Sequence, residues 1–88
     1  MAYAIELRPL ARRNLKTLSA EVRKRIGIKI DSLADDPRPP GVEKLSGEDE
    51  EFYRVRVGDY RIIYKIEDKV LLVVVVKVGH RREVYRNR

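Results

Sequence analysis

Eighty-eight residues make one modest core, a sheet with a layer of helix, so the chain is read as a single small α+β domain over 1–88. Twenty Lys and Arg against 14 Asp and Glu give a formal charge of +6, which favours a polyanionic partner, while 43% apolar residues gathered into periodic blocks exclude a disordered chain. No cysteine and a single histidine leave no thiolate chemistry and no metal cluster, so neither metal nor cofactor is expected.

Tyr3-Ala-Ile-Glu-Leu7 alternates weakly and stops at Arg8-Pro9, which predicts a short first strand followed by a helix with Pro9 in its first turn. Leu10, Ala11, Leu15 and Leu18 trace the apolar stripe of that helix, with Asn14 a polar exception on it. Ser19 reads as the N-cap of a second helix, with Glu21 in its first turn, where the helix dipole favours negative charge. Val22, Ile26, Ile30 and Leu33 carry its buried stripe through to Ala34, and Ile28 falls off it, so the two helices form an antiparallel pair that covers one face of a sheet. The proline-rich segment from Asp35 to Gly41 cannot continue a helix and reads as a connecting loop. Lys44-Leu-Ser-Gly47 followed by Glu48 to Glu51 leads into the hairpin, and the acidic run reads as the extension of a solvated turn.

The stretch from Phe52 to Ile66 alternates polar and apolar residues on either side of Gly58-Asp59, a strong hairpin signal. With those two as the loop, Val57 faces Tyr60, Arg56 faces Arg61, Val55 faces Ile62 and Arg54 faces Ile63. Tyr53, Val55, Val57, Tyr60, Ile62 and Tyr64 then share the core face, and Arg54, Arg56, Arg61 and Lys65 share the other. Opposed like charges cost stability, whereas a group of guanidinium forks on a rigid sheet suits phosphates. Glu67-Asp68-Lys69 makes a tight turn, and the run Val70 to Val76 predicts a central strand covered on both faces. That run is far shorter than the roughly 20 residues of a membrane helix, and no signal-peptide pattern opens the chain, so a cytoplasmic protein with no membrane partner is expected. The strand is expected to break at Gly79, leaving a basic tail from His80 to Arg88.

The order β-α-α-β-β-β, Lys44-Leu-Ser-Gly47 before the sheet, the hairpin from Tyr53 to Tyr64 and Val78-Gly-His-Arg-Arg-Glu-Val-Tyr85 together resemble the RelE branch of the RelE/ParE toxin superfamily. The resemblance covers essentially the whole chain. It implies the toxin of a bacterial toxin–antitoxin pair, a ribosome-dependent endoribonuclease that cuts mRNA in the decoding site without metal. Its partners would be a cognate antitoxin, the ribosome with its rRNA, and mRNA, with no homo-oligomer expected without the antitoxin. The positions matching the family's catalytic set are Arg61, Arg81 and Tyr85, with Arg54 and Arg56 where lysines are common. The sequence departs from the family in its shorter hairpin loop, in His80 where lysine is usual, and in ending three residues after Tyr85. The ParE branch shares the fold and poisons DNA gyrase instead, and a plain RNA-binding module is a third reading.

Cutting RNA without metal requires a base for the 2′-hydroxyl, stabilisation of the phosphorane and protonation of the leaving 5′-oxygen. Arg61 is the first choice for the phosphorane oxygens, with an ion pair to an acid such as Glu83 as its structural alternative. Arg81 shares that charge, since a guanidinium is a poor proton donor. Tyr85 acts as base if guanidiniums lower its pKa, or else anchors the tail or stacks on a base. His80 is a second candidate base. Arg54, Arg56, Lys65 and His80 are read as phosphate-positioning residues. Arg12, Arg13, Lys16, Arg23, Lys24 and Lys29 either reach ribosomal RNA or form a solvated helix face.

Overall fold

The computed structural model describes residues 2–46 and 51–80. Strand β1 (Ala4–Leu7) leads into helix α1 (Pro9–Lys16) and helix α2 (Ala20–Ser32), followed by strands β2 (Glu43–Ser46), β3 (Glu51–Val57), β4 (Tyr60–Glu67) and β5 (Leu72–His80). The five strands form one sheet in the order β1-β5-β4-β3-β2, parallel between β1 and β5 and antiparallel elsewhere. Two helices over a mainly antiparallel sheet is the expected α+β arrangement.

The helices form where local signals put them. Pro9 occupies the first turn of α1, where a missing amide costs nothing, and the Ser19 hydroxyl accepts from the Val22 amide at the start of α2. The end of α1 is finished by a side chain from the next helix: Arg23 donates from Nε to the Leu15 carbonyl (3.1 Å) and from Nη2 to the Leu18 carbonyl (2.8 Å). The Leu15 carbonyl also accepts from the Leu18 amide (3.2 Å), so Arg23 adds a second donor at the turn between the helices. Asn14 has a structural reason too. It sits on the sheet side of α1, and its Oδ1 accepts from the Val78 amide (3.0 Å), tying the helix to β5. On the same helix Ala11 is fully buried, whereas Leu10, expected on the stripe, is exposed.

The core lies between the helices and one face of the sheet, with Ile26, Ile30 and Leu33 of α2 packed against Tyr53, Val55, Ile62, Tyr64, Val73, Val75 and Val78. Helix α2 ends at Ser32, short of the expected Ala34, and Ile28 is exposed as its place off the stripe requires. The hairpin has the expected register, Val57 with Tyr60, Arg56 with Arg61, Val55 with Ile62 and Arg54 with Ile63. Gly58 takes a left-handed φ of 59°, and a Cβ there would sit 3.2 Å from Nη2 of Arg25, so both conformation and space favour glycine.

Three expectations fail. Lys44 to Ser46, read only as a lead into the hairpin, belong with Glu43 to strand β2, paired antiparallel with β3 so that Glu43 faces Arg54, and Glu48 to Glu50 of the acidic run lie outside the described residues. Val70 belongs to a 3-10 turn over Asp68–Val70 and is exposed, and the strand that begins at Leu72 runs through Gly79 to His80 without a break. A β-bulge interrupts the pairing of that strand: Ile63 pairs with Lys77 but Tyr64 pairs with Val75, so Val76 is extra. Side chains alternate along a strand, and one added residue exchanges the faces beyond it. Val73 and Val75 face the helices before the bulge, and Val78 does so after it, which sends Lys77 to the outer face. Val74, on the outer face, is nevertheless buried, in keeping with a strand covered on both sides at its middle.

Candidate active site

The outer face of the hairpin carries a pocket of about 200 Å³ lined by Gly41, Glu43, Arg54, Arg56 and Arg61. Its architecture derives from register. Arg56 and Arg61 are direct cross-strand partners, and Arg54 lies two residues before Arg56 on the same face. Arg61 is only 7% exposed, yet no carboxylate among the described residues pairs with it. Its Nη1 instead donates to the carbonyls of Tyr60 (3.2 Å) and Gly58 (3.5 Å), so the hairpin's own backbone holds the guanidinium in place. Gly79 pairs with Arg61 from β5 and puts no side chain on that row of the outer face.

Glu43 is the residue that sequence reasoning missed. Its Oε1 accepts from both Nε (2.9 Å) and Nη2 of Arg54, which is largely covered while the glutamate is largely exposed. The carboxylate enters the site because β2 pairs with β3, a pairing that the short stretch before the hairpin does not signal. Gly41, at φ 85° after the prolines, forms another part of the wall.

The other expected site residues are distributed differently. Lys65 shares the outer face but lies farther along β4, outside the pocket lining, with Glu67 3.9 Å away. His80 pairs with Tyr60, on the helix side of the sheet, and its ring meets the Tyr60 ring edge-on at 5.6 Å between centroids. The bulge at Val76 put it there, so His80 lies on the opposite face of the sheet from the pocket arginines. The same bulge brings Lys77 to the outer face, on the row of Arg54 and Ile63, a cation that regular alternation would have hidden. Arg81, Tyr85 and Glu83 lie outside the described residues.

At the other end of the sheet a second arginine is spent on structure. Arg38 donates from Nη1 and Nη2 to Asp68 (3.3 and 2.9 Å) and from Nε to the Tyr53 hydroxyl (3.3 Å), with its guanidinium 5.4 Å from the Tyr53 ring centroid. Asp68 also accepts from the Tyr3 hydroxyl (2.7 Å), so its carboxyl is held below the usual carboxylate range, by Arg38 first and Tyr3 second. Tyr64 stacks on Tyr53 and donates to the Pro37 carbonyl (2.7 Å), and burial pushes its phenol well above the ordinary value. Together these bonds clamp the proline loop and the 3-10 turn to the sheet.

Residues 5–85 match the family described as the ParE toxin of type II toxin-antitoxin system, parDE. This chain belongs to that family, within the RelE/ParE superfamily. The relatives carry the other branch's name. The chain is 30% identical over 88 residues to the mRNA interferase toxin RelE of Escherichia coli K12, covering 97% of this chain and 92% of that one. It is 30% identical over 87 residues to Toxin RelG of Mycobacterium tuberculosis, covering 98% and 99%. The archaeal RelE-RelB complex from Pyrococcus horikoshii contains a chain that superposes with a TM-score of 0.80 at 29% identity, covering 92% of this chain and 97% of that one. The chain is therefore a RelE-type toxin, in agreement with the resemblance carried by its hairpin and its C-terminal motif.

Proposed function

We propose that this RelE-type toxin is a ribosome-dependent endoribonuclease that cuts mRNA in the decoding site without a metal ion. The observation that carries the reading is the placement of Arg61: buried, fixed by backbone carbonyls and set in a pocket with two more guanidiniums. A rigid permanent cation aimed at one place is suited to a phosphorane, whose charge develops only in the transition state, because it needs no reorganisation as the charge appears. Arg54 and Arg56 hold the phosphates on either side, which fixes register without reading sequence. Arg81 and Tyr85 are carried over from the resemblance as a further guanidinium and a group for proton transfer.

In vitro translation with primer extension tests the reading. The expected result is cuts in ribosome-bound message and little cutting of naked RNA, since the ribosome must orient the strand. Gyrase-trapped DNA breaks without message cleavage would establish the second reading, which the ParE name of the matched family favours. Binding to RNA with neither outcome would leave only an RNA-binding module. The neutralising partner is a cognate antitoxin, by analogy with the archaeal RelE-RelB complex. An acidic segment that covers the outer face or displaces the tail bearing Tyr85 would inhibit, and a purified toxin–antitoxin pair should therefore leave message intact.

A further inference from the structure

We infer that Lys77 is a further phosphate-binding residue for the message: it holds a backbone phosphate outside the arginine pocket, so that the RNA strand leaves the pocket over β4 toward β5. The inference rests on the endoribonuclease reading above and adds a residue to its binding surface.

The bulge in β5 carries the argument. Regular alternation from Val73 and Val75 would turn Lys77 toward the helices. The extra residue at Val76 turns it outward instead, opposite Ile63 and on the row of Arg54. A bulge gives up ladder hydrogen bonds, and such features gather next to active sites, where they re-aim a side chain. The side chain re-aimed here is the single lysine of β5.

Its surroundings suit an anion. Across the outer face the row runs Glu43, Arg54, Ile63 and Lys77, from β2 to β5. Glu43 accepts from Arg54 at one end, whereas no carboxylate among the described residues pairs with Lys77 at the other. Gly79, the partner of Arg61 on β5, is two positions from Lys77, which makes Lys77 the diagonal neighbour of Arg61. Diagonal neighbours lie about 7–8 Å apart, within reach of a long side chain. Lys77 thus stands one step from the buried cation assigned to the reacting phosphate, outside the lining of its pocket. Arg54 and Lys77 are separated by β4, about 10 Å at the usual strand spacing, so the two cations engage different phosphates of one strand. A path along the hairpin would lead instead to Lys65, which already has Glu67 3.9 Å away. A flexible lysine, a point charge without the directional fork of arginine, is suited to holding a phosphate where no chemistry occurs.

The test is a cycle of Lys77→Ala against neutral methylphosphonate linkages placed singly in the message, within about three nucleotides on either side of the cut. Each linkage is carried on a 2′-deoxy nucleotide and compared with the same nucleotide bearing an ordinary phosphate. Single-turnover cleavage on programmed ribosomes is followed against toxin concentration. At one position the neutral linkage and Lys77→Ala should each raise the half-saturating concentration by about three- to tenfold, and together by little more than either alone, because both remove one contact. The maximal rate should stay within about threefold, as for a contact made equally before and during reaction. Lys77→Arg keeps the charge and should restore half-saturation to within about twofold of wild type. Should the alanine variant fail to fold, Lys77→Gln takes its place in the same cycle. Additive effects at every position, even with a shallower salt dependence, would overturn the inference and assign Lys77 to ribosomal RNA. A loss that Lys77→Arg shared with Lys77→Ala would overturn it by making the role structural, and a loss confined to the maximal rate would overturn it by moving Lys77 to the chemical step. Failure of the wild-type protein to cut unmodified ribosome-bound message would overturn the endoribonuclease reading, and the inference with it.

Discussion

One arginine beside the sheet and a group of three on it have opposite chemistry. Arg38 spends its donors on Asp68 and the Tyr53 hydroxyl and covers the Tyr53 ring, so its charge and its planar fork are both used inside the protein. Among the described residues, Arg54, Arg56 and Arg61 share a pocket lining with the carboxylate of Glu43, and Arg61 is held by neutral backbone carbonyls. An arginine matched by an acid and an aromatic clamps a loop, whereas guanidiniums grouped in one pocket suit an anion. The counts in the sequence cannot separate the two kinds.

The sharpest way to test that contrast is Arg61→Ala. Loss of a preorganised cation at the reacting phosphate should lower single-turnover cleavage by about 100- to 1,000-fold while ribosome binding changes little. Equal losses in binding and cleavage would reduce Arg61 to one more phosphate contact.

The clamp should respond in stability instead. Tyr64→Phe removes the hydroxyl that donates to the Pro37 carbonyl in a buried setting and should cost about 1–2 kcal/mol in denaturant unfolding. Cleavage by the folded fraction should match wild type. Arg38→Ala should cost about 1 kcal/mol through lost contact with the Tyr53 ring and an exposed ion pair. Arg56→Ala is its counterpart: unfolding should hardly move, but ribosome binding should weaken and its salt dependence become shallower as one phosphate contact is lost. If Arg38→Ala flattened the salt dependence as much as Arg56→Ala does, the division between Arg38 and the pocket arginines would fail.

The smallest effect concerns pH. The Asp68 carboxyl titrates below its unfolded value because Arg38 and Tyr3 both donate to it. A carboxyl with a depressed folded pKa contributes stability that is fully present above the unfolded value, about 3.9, and is lost as pH falls through the folded value. Melting curves of wild type and Asp68→Asn should therefore differ most at neutral pH and converge as the solution is acidified below about pH 4. A difference that stayed constant down to acid pH would show that the carboxylate charge contributes nothing to the clamp.

The sequence by itself determined what is encoded within a few neighbouring residues. The alternation around Gly58-Asp59 specified the hairpin register and placed Arg54, Arg56 and Arg61 on one face, and Ser19 marked the start of α2. A period-two pattern beside a turn, or a cap one turn before its amide, needs no distant partner to be legible. The element order, the hairpin and the C-terminal motif together carry the resemblance to the family. Only the tertiary structure decided the remaining parts of the site. Glu43 reaches the pocket because β2 adds to the edge of β3, a pairing that four residues of mixed character do not announce. Lys77 reaches the outer face and His80 the helix side because Val76 bulges out of a run of valines with no mark to distinguish it. Asn14 is polar on an apolar stripe because an amide of β5, distant in sequence, needs an acceptor there. Each of these depends on which backbone groups meet across the sheet or against it, and strand pairing, once made, fixes the face of every later side chain along the strand.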